Sequence, residues 1–350
     1  MSTPSAGLGP VGDPEDLGAA LRRAAAILAE AGVPSPRVDA ELLAEHLLAR
    51  QPDGGGLGGG GLGRLRALAI TGARVPEGFW DLVAERARRV PLQHLTGTAH
   101  FRRLALAVGP GVFVPRPETE GVVQVALDWI AQLFPDAVTP EPAGSGSGSG
   151  QGSATPSDRE SAHDAGRSPR AARLHQTGPV VVDLGTGSGA IAASIAHEAP
   201  GAVVHAVELS DLAHAWAARN LALPEAGGRV HLVRGDLRTA FRELDGSVDV
   251  VVSNPPYIPP DMVPREPEAA LHDPQMALYG GAEGGLELPL AAAVTAARLL
   301  VPGGFFVMEH AEVQAERIAE ILGASPSWTH VQRHNDLNGL PRATSAVRAA

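Results

Sequence analysis

The chain has 350 residues with 39 acidic side chains against 28 basic ones, and its formal net charge of −11 argues against broad electrostatic capture of nucleic acid. It contains no cysteine and no lysine, which excludes disulfides, thiolate-ligated metal sites, cysteine nucleophiles and lysine Schiff bases. No segment has the pattern of a secretory signal or of an apolar membrane span. We therefore expect a cytoplasmic protein without membrane association.

The first 90 residues predict a small helical domain. Apolar residues recur at helical spacing over residues 17–31, 37–48 and 76–89, as is typical of helices with one buried face. The glycine-rich residues 54–63 between them predict a flexible loop.

Two further segments precede the second half of the chain. Residues 91–115 predict a linker that contains a strand or hairpin over 101–108, and a helix is expected from about 120 to 133. Between about 135 and 178 the sequence is rich in glycine, serine and proline and includes GSGSGSG. Such a segment offers too little apolar surface to offset the entropy of ordering. We expect it to be a disordered insertion.

The remaining sequence alternates short apolar runs with helical patterns. Runs without polar alternation are typical of strands that are buried on both faces of a parallel sheet. These runs lie at residues 180–182, 203–207, 230–234, 248–252 and 304–309. The sequence thus predicts an α/β domain over residues 116–350, after the helical domain at 1–90 and the hairpin linker at 91–115.

A glycine-rich loop follows the first strand of this domain and opens a helix. Glycines allow a tight turn and close approach of a ligand to the backbone, at the position where wound sheets bind nucleotides. The residues of this candidate cofactor loop are Asp183, Gly185, Thr186, Gly187, Ser188 and Gly189. Because the glycines fall at every second position, the dinucleotide spacing G-x-G-x-x-G is not met.

Acidic residues end the next two strands. Glu208 is placed to accept hydrogen bonds from the two hydroxyls of a ribose, and Asp236 with Leu237 is placed beside an adenine. One glycine loop followed by two such acids fits S-adenosylmethionine better than a dinucleotide and resembles class I methyltransferases. A dinucleotide site remains the alternative at this point, and Asp236 fits an ordinary helix N-cap nearly as well.

The four residues Asn254-Pro255-Pro256-Tyr257 follow the strand at 248–252, at the sheet edge where ligands bind. The prolines lack N–H groups and push the preceding residues into extended conformations, so the backbone carbonyls are predicted to point outwards. The side-chain oxygen of Asn254 and the carbonyl of Pro255 can each accept one N–H of a target amide or amine. That directs the nitrogen lone pair at a sulfonium methyl group. Tyr257 is placed to pack on the planar substrate. The simpler interpretation of these four residues is a rigid proline turn that ends the strand.

The loop and this turn together resemble the HemK/PrmC family, whose members methylate the glutamine N5 of the Gly-Gly-Gln motif in peptide chain release factors. Similar signatures cover most of the chain. They are SPRVDAELL (35–43), PLQHLTG (91–97), PRPETE (115–120), HDP (272–274) with Ala277, Leu278, Gly280 and Gly281, and Asp336, Leu337, Gly339, Pro341 and Arg342.

The resemblance implies a class I, Rossmann-like S-adenosylmethionine methyltransferase domain and a small N-terminal helical domain that docks the release factor. Methylation of the release factor is then expected to modulate translation termination. It also implies that Asn254, Pro255, Pro256 and Tyr257 hold the glutamine amide. The segment at 135–178 and the loop at 54–63 depart from the family pattern as insertions, and Glu208 stands where many relatives have aspartate.

Arg116, Glu118 and Glu120 fit the wall of the site and internal salt bridges equally well. The histidines lack metal-ligand spacing, so no metal site is predicted.

Two other functions remain in competition. Adenine-N6 methyltransferases use a similar Asn-Pro-Pro-Tyr turn, but they need a base-flipping pocket and a basic surface, which this acidic chain does not suggest. Cytosine-C5 chemistry is excluded because its cysteine nucleophile is missing. The second alternative is a binding protein that has kept the fold without catalysis, which the intact loop, acids and turn disfavour.

Overall fold

A computed structural model of the chain describes residues 16–50, 61–138 and 178–350. These residues form two compact units. The helical unit comprises the residues up to Thr98 together with Val108–Pro110 and Pro264–Asp273, and the sheet unit comprises Ala99–Ala107, Gly111–Val263 and Pro274–Ala350. The domain boundaries at 90 and 115 stay a prediction.

The expected disordered insertion falls largely outside the described residues, at 139–177. Its first residues, Pro135–Ala137, form one 3-10 turn.

Six helices build the helical unit. They are α1 (Leu17–Glu30), α2 (Pro36–Ala49), α3 (Gly61–Ile70), α4 (Phe79–Ala87), α5 (Leu92–Thr96) and, much later in the chain, α9 (Pro267–His272). Helix α1 begins where the Asp16 carboxylate accepts from the Ala19 amide at 2.9 Å and ends before Gly32, whose φ is 73°. A Cβ on Gly18 would lie 2.8 Å from the Ala69 carbonyl oxygen, so glycine permits the close approach of α1 and α3.

Helix α3 corrects the sequence prediction. The loop expected at 54–63 is wrong for its last residues, because the helix begins at Gly61; residues 54–60 lie outside the described ranges. Leu65 of α3 is buried against side chains of the other helices. Burial of one such side chain contributes roughly 1.5–3 kcal/mol, which offsets the poor helix propensity of the glycines at 61 and 63.

A buried ion network lies in the helical unit. Arg86 donates from Nε to Asp39 Oδ2 at 2.7 Å and from Nη1 to Glu268 Oε1 at 2.8 Å. Arg89 donates to both oxygens of Glu268, at 2.9 and 2.6 Å. Two arginines therefore face two carboxylates, and the network joins α2, α4 and α9.

The sheet unit contains a hairpin and a seven-stranded sheet. The hairpin is β1 (Thr98–Phe101) and β2 (Leu104–Ala107), and the sheet strands are β3 (Val180–Leu184), β4 (Val203–Glu208), β5 (Val230–Arg234), β6 (Val248–Ser253), β7 (Leu300–Glu309), β8 (Trp328–Asn335) and β9 (Pro341–Arg348). The helices of this unit are α6 (Pro117–Leu133), α7 (Ala190–Glu198), α8 (Asp211–Leu221), α10 (Gln275–Leu278), α11 (Ala282–Gly285), α12 (Glu287–Leu299) and α13 (Ala315–Ala324). Further 3-10 turns lie at Pro224–Ala226, Arg242–Leu244 and Glu312–Gln314.

The strand order is β5-β4-β3-β6-β7-β9-β8. Strands β3 to β7 are mutually parallel, and β9 is antiparallel to both of its neighbours. The order reverses between β3 and β6, and the carboxyl ends at such a switch point form a ligand crevice.

Apolar side chains cover both faces of the sheet, as the uninterrupted valine runs predicted. Along β6, Val250 and Val252 face the layer of α6, α7 and α8, whereas Val251 faces the layer of α12 and α13. This alternation buries every residue of the strand core and leaves only the strand ends for polar groups. No helix in the three described ranges is long and apolar enough to cross a bilayer.

Candidate active site

The glycine loop at the end of β3 has the conformation that its glycines predict. Gly185, Gly187 and Gly189 have φ values of 79°, 58° and 83°, the left-handed region that favours glycine. A Cβ on Gly187 would meet open space, so its backbone is accessible to a ligand. At Gly189 a Cβ would instead meet Leu221 and Ala217 at 3.3–3.4 Å, because α8 packs close to this turn.

Asp183 holds the loop from beneath. Its Oδ2 accepts from Thr186 Oγ1 at 2.5 Å and from the Ala192 amide at 3.2 Å. Burial raises the pKa of Asp183 to about 7. Its Oδ1 is buried and has no hydrogen-bond partner within the described residues. The Ser188 carbonyl accepts from Asn220 Nδ2 at 2.9 Å, which fixes the other end of the loop.

Glu208 ends β4 beside the loop. Its Oε2 accepts from the Gly187 amide at 2.8 Å and its Oε1 from the Ser210 amide at 2.7 Å. Burial raises the pKa of this carboxyl although both amides favour its ionised form. A carboxylate has about four acceptor positions, so Glu208 keeps acceptor capacity for a ribose hydroxyl. This geometry fits the predicted role of Glu208.

Asp236 follows β5 and pairs with a nearby arginine. Its carboxylate accepts from the Arg238 amide at 2.9 Å and from Arg238 Nη2 at 2.9 Å, and these hydrogen bonds lower the pKa of Asp236. The alternative of a helix N-cap is wrong, since a turn follows instead of a helix. The neighbouring Leu237 side chain would lie 3.9 Å from a Cβ on Gly185, and so flanks the loop.

The Asn-Pro-Pro-Tyr turn begins directly after β6. Ser253 Oγ donates to the Leu184 carbonyl at 2.7 Å, which ties the turn to the strand that carries the glycine loop. Asn254 Nδ2 donates to Thr119 Oγ1 on the first turn of α6 at 3.1 Å. Within the described part of the chain, neither Asn254 Oδ1 nor the Pro255 carbonyl has a hydrogen-bond partner. The two acceptors predicted to hold the substrate are thus both open.

The rest of the turn is held by two side chains that the sequence did not single out. Gln314 donates from Nε2 to the carbonyls of Tyr257 and Gly284, at 2.8 and 2.9 Å. Tyr257 donates from its hydroxyl to Glu309 Oε1 at 3.2 Å. Burial raises the pKa of Glu309 to about 7, and burial together with the Glu309 charge raises the pKa of Tyr257. The expectation that all carbonyls of the turn point outwards is therefore wrong for Tyr257.

A signal for Glu309 was present in the sequence. It ends β7 as Glu208 ends β4, and an acid at the end of a buried parallel strand lies at the ligand edge of the sheet. Thr119 lies inside the PRPETE stretch but has no acidic or basic character to mark it. Nothing in the local pattern marks Gln314.

The three charged residues of the PRPETE stretch that were candidates for the site wall have different surroundings. Glu120 Oε1 accepts from the Arg102 amide at 3.0 Å, at the hairpin turn, so this residue has an internal structural role. The Arg116 guanidinium lies 5.1 Å from the centre of the Phe113 ring. Glu118 is close enough to raise the pKa of both Tyr257 and Glu309. The charge of Glu118 therefore acts on Tyr257 of the turn and on Glu309, which holds it.

The donors and acceptors of this edge fit S-adenosylmethionine. The loop offers open backbone at Gly187, Glu208 retains acceptor positions, and the unpaired Asp183 Oδ1 lies beneath the loop. Among the described residues no cluster of three or more histidine or acidic side chains is able to hold a metal ion. The fold and this edge together define a class I, Rossmann-like methyltransferase.

Comparison with known proteins identifies the family. Residues 164–263 match the model of the methyltransferase small domain, and residues 19–53 match the PrmC N-terminal domain. The chain is 42% identical over 323 residues to the release factor glutamine methyltransferase of Streptomyces coelicolor, covering 92% of this chain and 94% of that one. It is 39% identical over 335 residues to that of Mycobacterium tuberculosis, covering 94% and 90%.

A relative with a different printed activity is also similar. The 4-amino-L-phenylalanine/4-methylamino-L-phenylalanine methyltransferase of Streptomyces pristinaespiralis is 36% identical over 264 residues, covering 75% of this chain and 76% of that one. The identity and coverage of the first two relatives are higher. The chain belongs to the family of release factor glutamine methyltransferases, and its cofactor is S-adenosylmethionine.

Proposed function

We propose that this protein transfers a methyl group to the side-chain amide nitrogen of the glutamine in the Gly-Gly-Gln motif of peptide chain release factors. The pair of open acceptors on Asn254 and Pro255 carries the proposal. An amide nitrogen is a poor nucleophile because its lone pair is delocalised, and it presents two N–H donors. A site for it needs an acceptor for each N–H, and one of these two protons leaves the nitrogen when the methyl group is transferred.

Each residue of the turn has a separate task. Asn254 Oδ1 and the Pro255 carbonyl each accept one N–H of the glutamine, which favours a pyramidal nitrogen and orients its lone pair. Pro256 keeps the backbone extended and adds no competing donor. Tyr257, held through its hydroxyl by Glu309, presents its ring to the planar amide. Bound S-adenosylmethionine supplies the sulfonium methyl group that is transferred.

The cofactor residues act by shape and polarity. Gly185, Gly187 and Gly189 bring backbone close to the ligand, and Glu208 accepts from the ribose hydroxyls. Asp236 and Leu237 are assigned to the adenine side. Asp183, Thr186 and Ser188 keep the loop in its left-handed conformation through the hydrogen bonds described above.

One experiment tests the substrate. Purified protein is incubated with labelled S-adenosylmethionine and, separately, a release factor, the same factor with its motif glutamine replaced by alanine, tRNA, DNA and 4-amino-L-phenylalanine. We expect label only on the unmodified release factor, with the methyl group at the glutamine side chain by mass spectrometry. Label confined to nucleic acid or to the free amino acid contradicts the proposal. Because release factors act during translation, the proposed place of the reaction is the cytoplasm.

The same assay tests the turn. Asn254→Ala removes one of the two acceptors, and we expect kcat to fall about a hundredfold or more, as when one preorganised hydrogen-bonding group is removed from other active sites. Gln332→Ala, which truncates an exposed amide on β8, is the matched control and should keep full activity. Equal activity of both variants contradicts the role of Asn254.

A further inference from the structure

The side-chain amide of Asn254 is anchored on one side only. Its Nδ2 donates to Thr119 Oγ1 at 3.1 Å, and Thr119 is 4% exposed on the first turn of α6. The two positions are 135 residues apart in the sequence. An asparagine side chain with a single partner is able to rotate by half a turn, which exchanges its acceptor Oδ1 and its donor Nδ2. What decides between the two orientations is the proton of the Thr119 hydroxyl.

A hydroxyl group carries one proton and two lone pairs. If that proton is directed away from Asn254, the oxygen is left to accept from Nδ2, and Oδ1 is on the open side. Glu309 is a buried carboxylate that is able to accept a hydrogen bond from this proton. The Thr119 hydroxyl stabilises the ionised form of Glu309, although it makes no hydrogen bond of regular geometry to it in this structure.

The Glu309 carboxyl keeps room for this proton. It is 3% exposed, Tyr257 occupies its Oε1, and its Oε2 has no hydrogen-bond partner in the described ranges. A buried acceptor without a partner costs free energy, so a donor that can reach it is favoured. Thr119 is close enough to act on Glu309, so a hydroxyl proton directed at that carboxylate leaves the Thr119 oxygen to accept from Asn254 Nδ2.

We propose that Thr119 is a positioning residue that keeps Asn254 Oδ1, and not Nδ2, directed at the glutamine amide. In the opposite orientation the N–H donors of Asn254 would face the N–H donors of the substrate. This inference rests on the proposed function, since it concerns the acceptor that holds the substrate. The PRPETE stretch thus has a role in orienting the Asn254 side chain, through Thr119, which contacts Asn254 and not the substrate.

The test uses the full chain with two substitutions of Thr119. Thr119→Val keeps the shape and removes the hydroxyl, and Thr119→Ser keeps the hydroxyl and removes the methyl group. With a release factor as substrate, we expect kcat of Thr119→Val to fall about tenfold to a hundredfold, while the affinity for S-adenosylmethionine changes less than about twofold. Thr119→Ser should recover most of the loss.

A double-variant cycle separates orientation from packing. In an Asn254→Ala background, Thr119→Val should lower kcat no further, because a residue that acts through Asn254 has nothing left to orient. Full kcat in Thr119→Val, no recovery in Thr119→Ser, or losses that multiply in the double variant would each overturn the proposal. If Thr119→Val fails to fold, Thr119→Ala against Thr119→Ser gives the same comparison. Failure of the proposed function appears separately, as a wild-type protein that does not methylate the release factor.

Discussion

Replacing Glu268 by glutamine tests the buried ion network of the helical unit. The change keeps the shape of the side chain but removes the carboxylate that pairs with both Arg86 and Arg89. Arg86 keeps the Asp39 carboxylate, whereas Arg89 keeps only the carbonyls of Ala31 and Gly32 among its described partners. Burial alone would raise the pKa of Glu268, but hydrogen bonds from Arg89 and Arg86 outweigh it and hold the pKa at about 2, against an ordinary value of 4.5.

This pKa shift sets the size of the expected loss of stability. It corresponds to about 3 kcal/mol in favour of the ionised form, and the 13% exposure of the Glu268 side chain lets solvent screen part of it, to about 2 kcal/mol. Loss of hydrogen bonds to charged groups gives a similar range of roughly 1.5–3 kcal/mol. We therefore expect Glu268→Gln to lower the free energy of unfolding of the helical unit by about 2–3 kcal/mol at pH 7.

The assay is hydrogen exchange with mass spectrometry on the full chain, read from peptides of α2 and α4 in increasing urea. Glu30→Gln, an exposed substitution at the end of α1, is the control and should stay within about 0.5 kcal/mol of wild type. Because the pKa of Glu268 is depressed, its stabilisation is complete above pH 4.5 and is lost as the pH falls towards 2. A Glu268→Gln variant as stable as wild type at pH 7, or a difference that does not shrink on acidification, refutes the reasoning.

Three more expectations concern the sheet unit. Burial raises the pKa of Glu309 from 4.5 to about 7. The stabilisation from its protonated carboxyl is therefore present below pH 4.5 and is lost as the pH rises through 7. In a series of thermal melts, Glu309→Gln should show a smaller loss of stability over this pH range than the wild type. Gly189→Ala should lower the free energy of unfolding by about 1–3 kcal/mol in urea titrations, because Gly189 has a positive φ. Gly323→Ala, at an exposed and open position of α13, should raise it by about 0.4–1 kcal/mol. An unchanged free energy of unfolding in Gly189→Ala would show that the loop is unstrained. Glu208→Gln should weaken S-adenosylmethionine binding about tenfold to a hundredfold in calorimetry, and unchanged affinity would remove Glu208 from the ribose site.

The sequence predicted the parts of this fold that depend on local pattern. The valine runs of β3 and β6 are buried on both faces, which only a covered parallel sheet allows, and the class I fold is confirmed. The glycine loop and the turn at Asn254 are each continuous in sequence, so their conformations follow from residue type. Helix α3 was missed because glycines at 61 and 63 suggest a loop until packing against α1 is known.

The partners of the site escaped prediction for a different reason. Thr119 lies 135 residues from Asn254, and Glu309 lies 52 residues from Tyr257. The packing of helix α6 brings Thr119 to Asn254, and the strand order makes β6 and β7 neighbours. Local periodicity carries no information about either. The function of these residues also depends on which atom of each pair donates the hydrogen bond. The residue type alone does not determine this.

The position of Glu268 has a consequence for how this chain can be divided or recombined. A fragment that ends at Thr98 contains Asp39, Arg86 and Arg89 but not their fourth partner, which lies about 170 residues further on. Such a fragment would expose an excess positive charge where the intact protein is neutral. A chimera that exchanges the first hundred residues with those of a relative must therefore carry a compatible residue at position 268 as well.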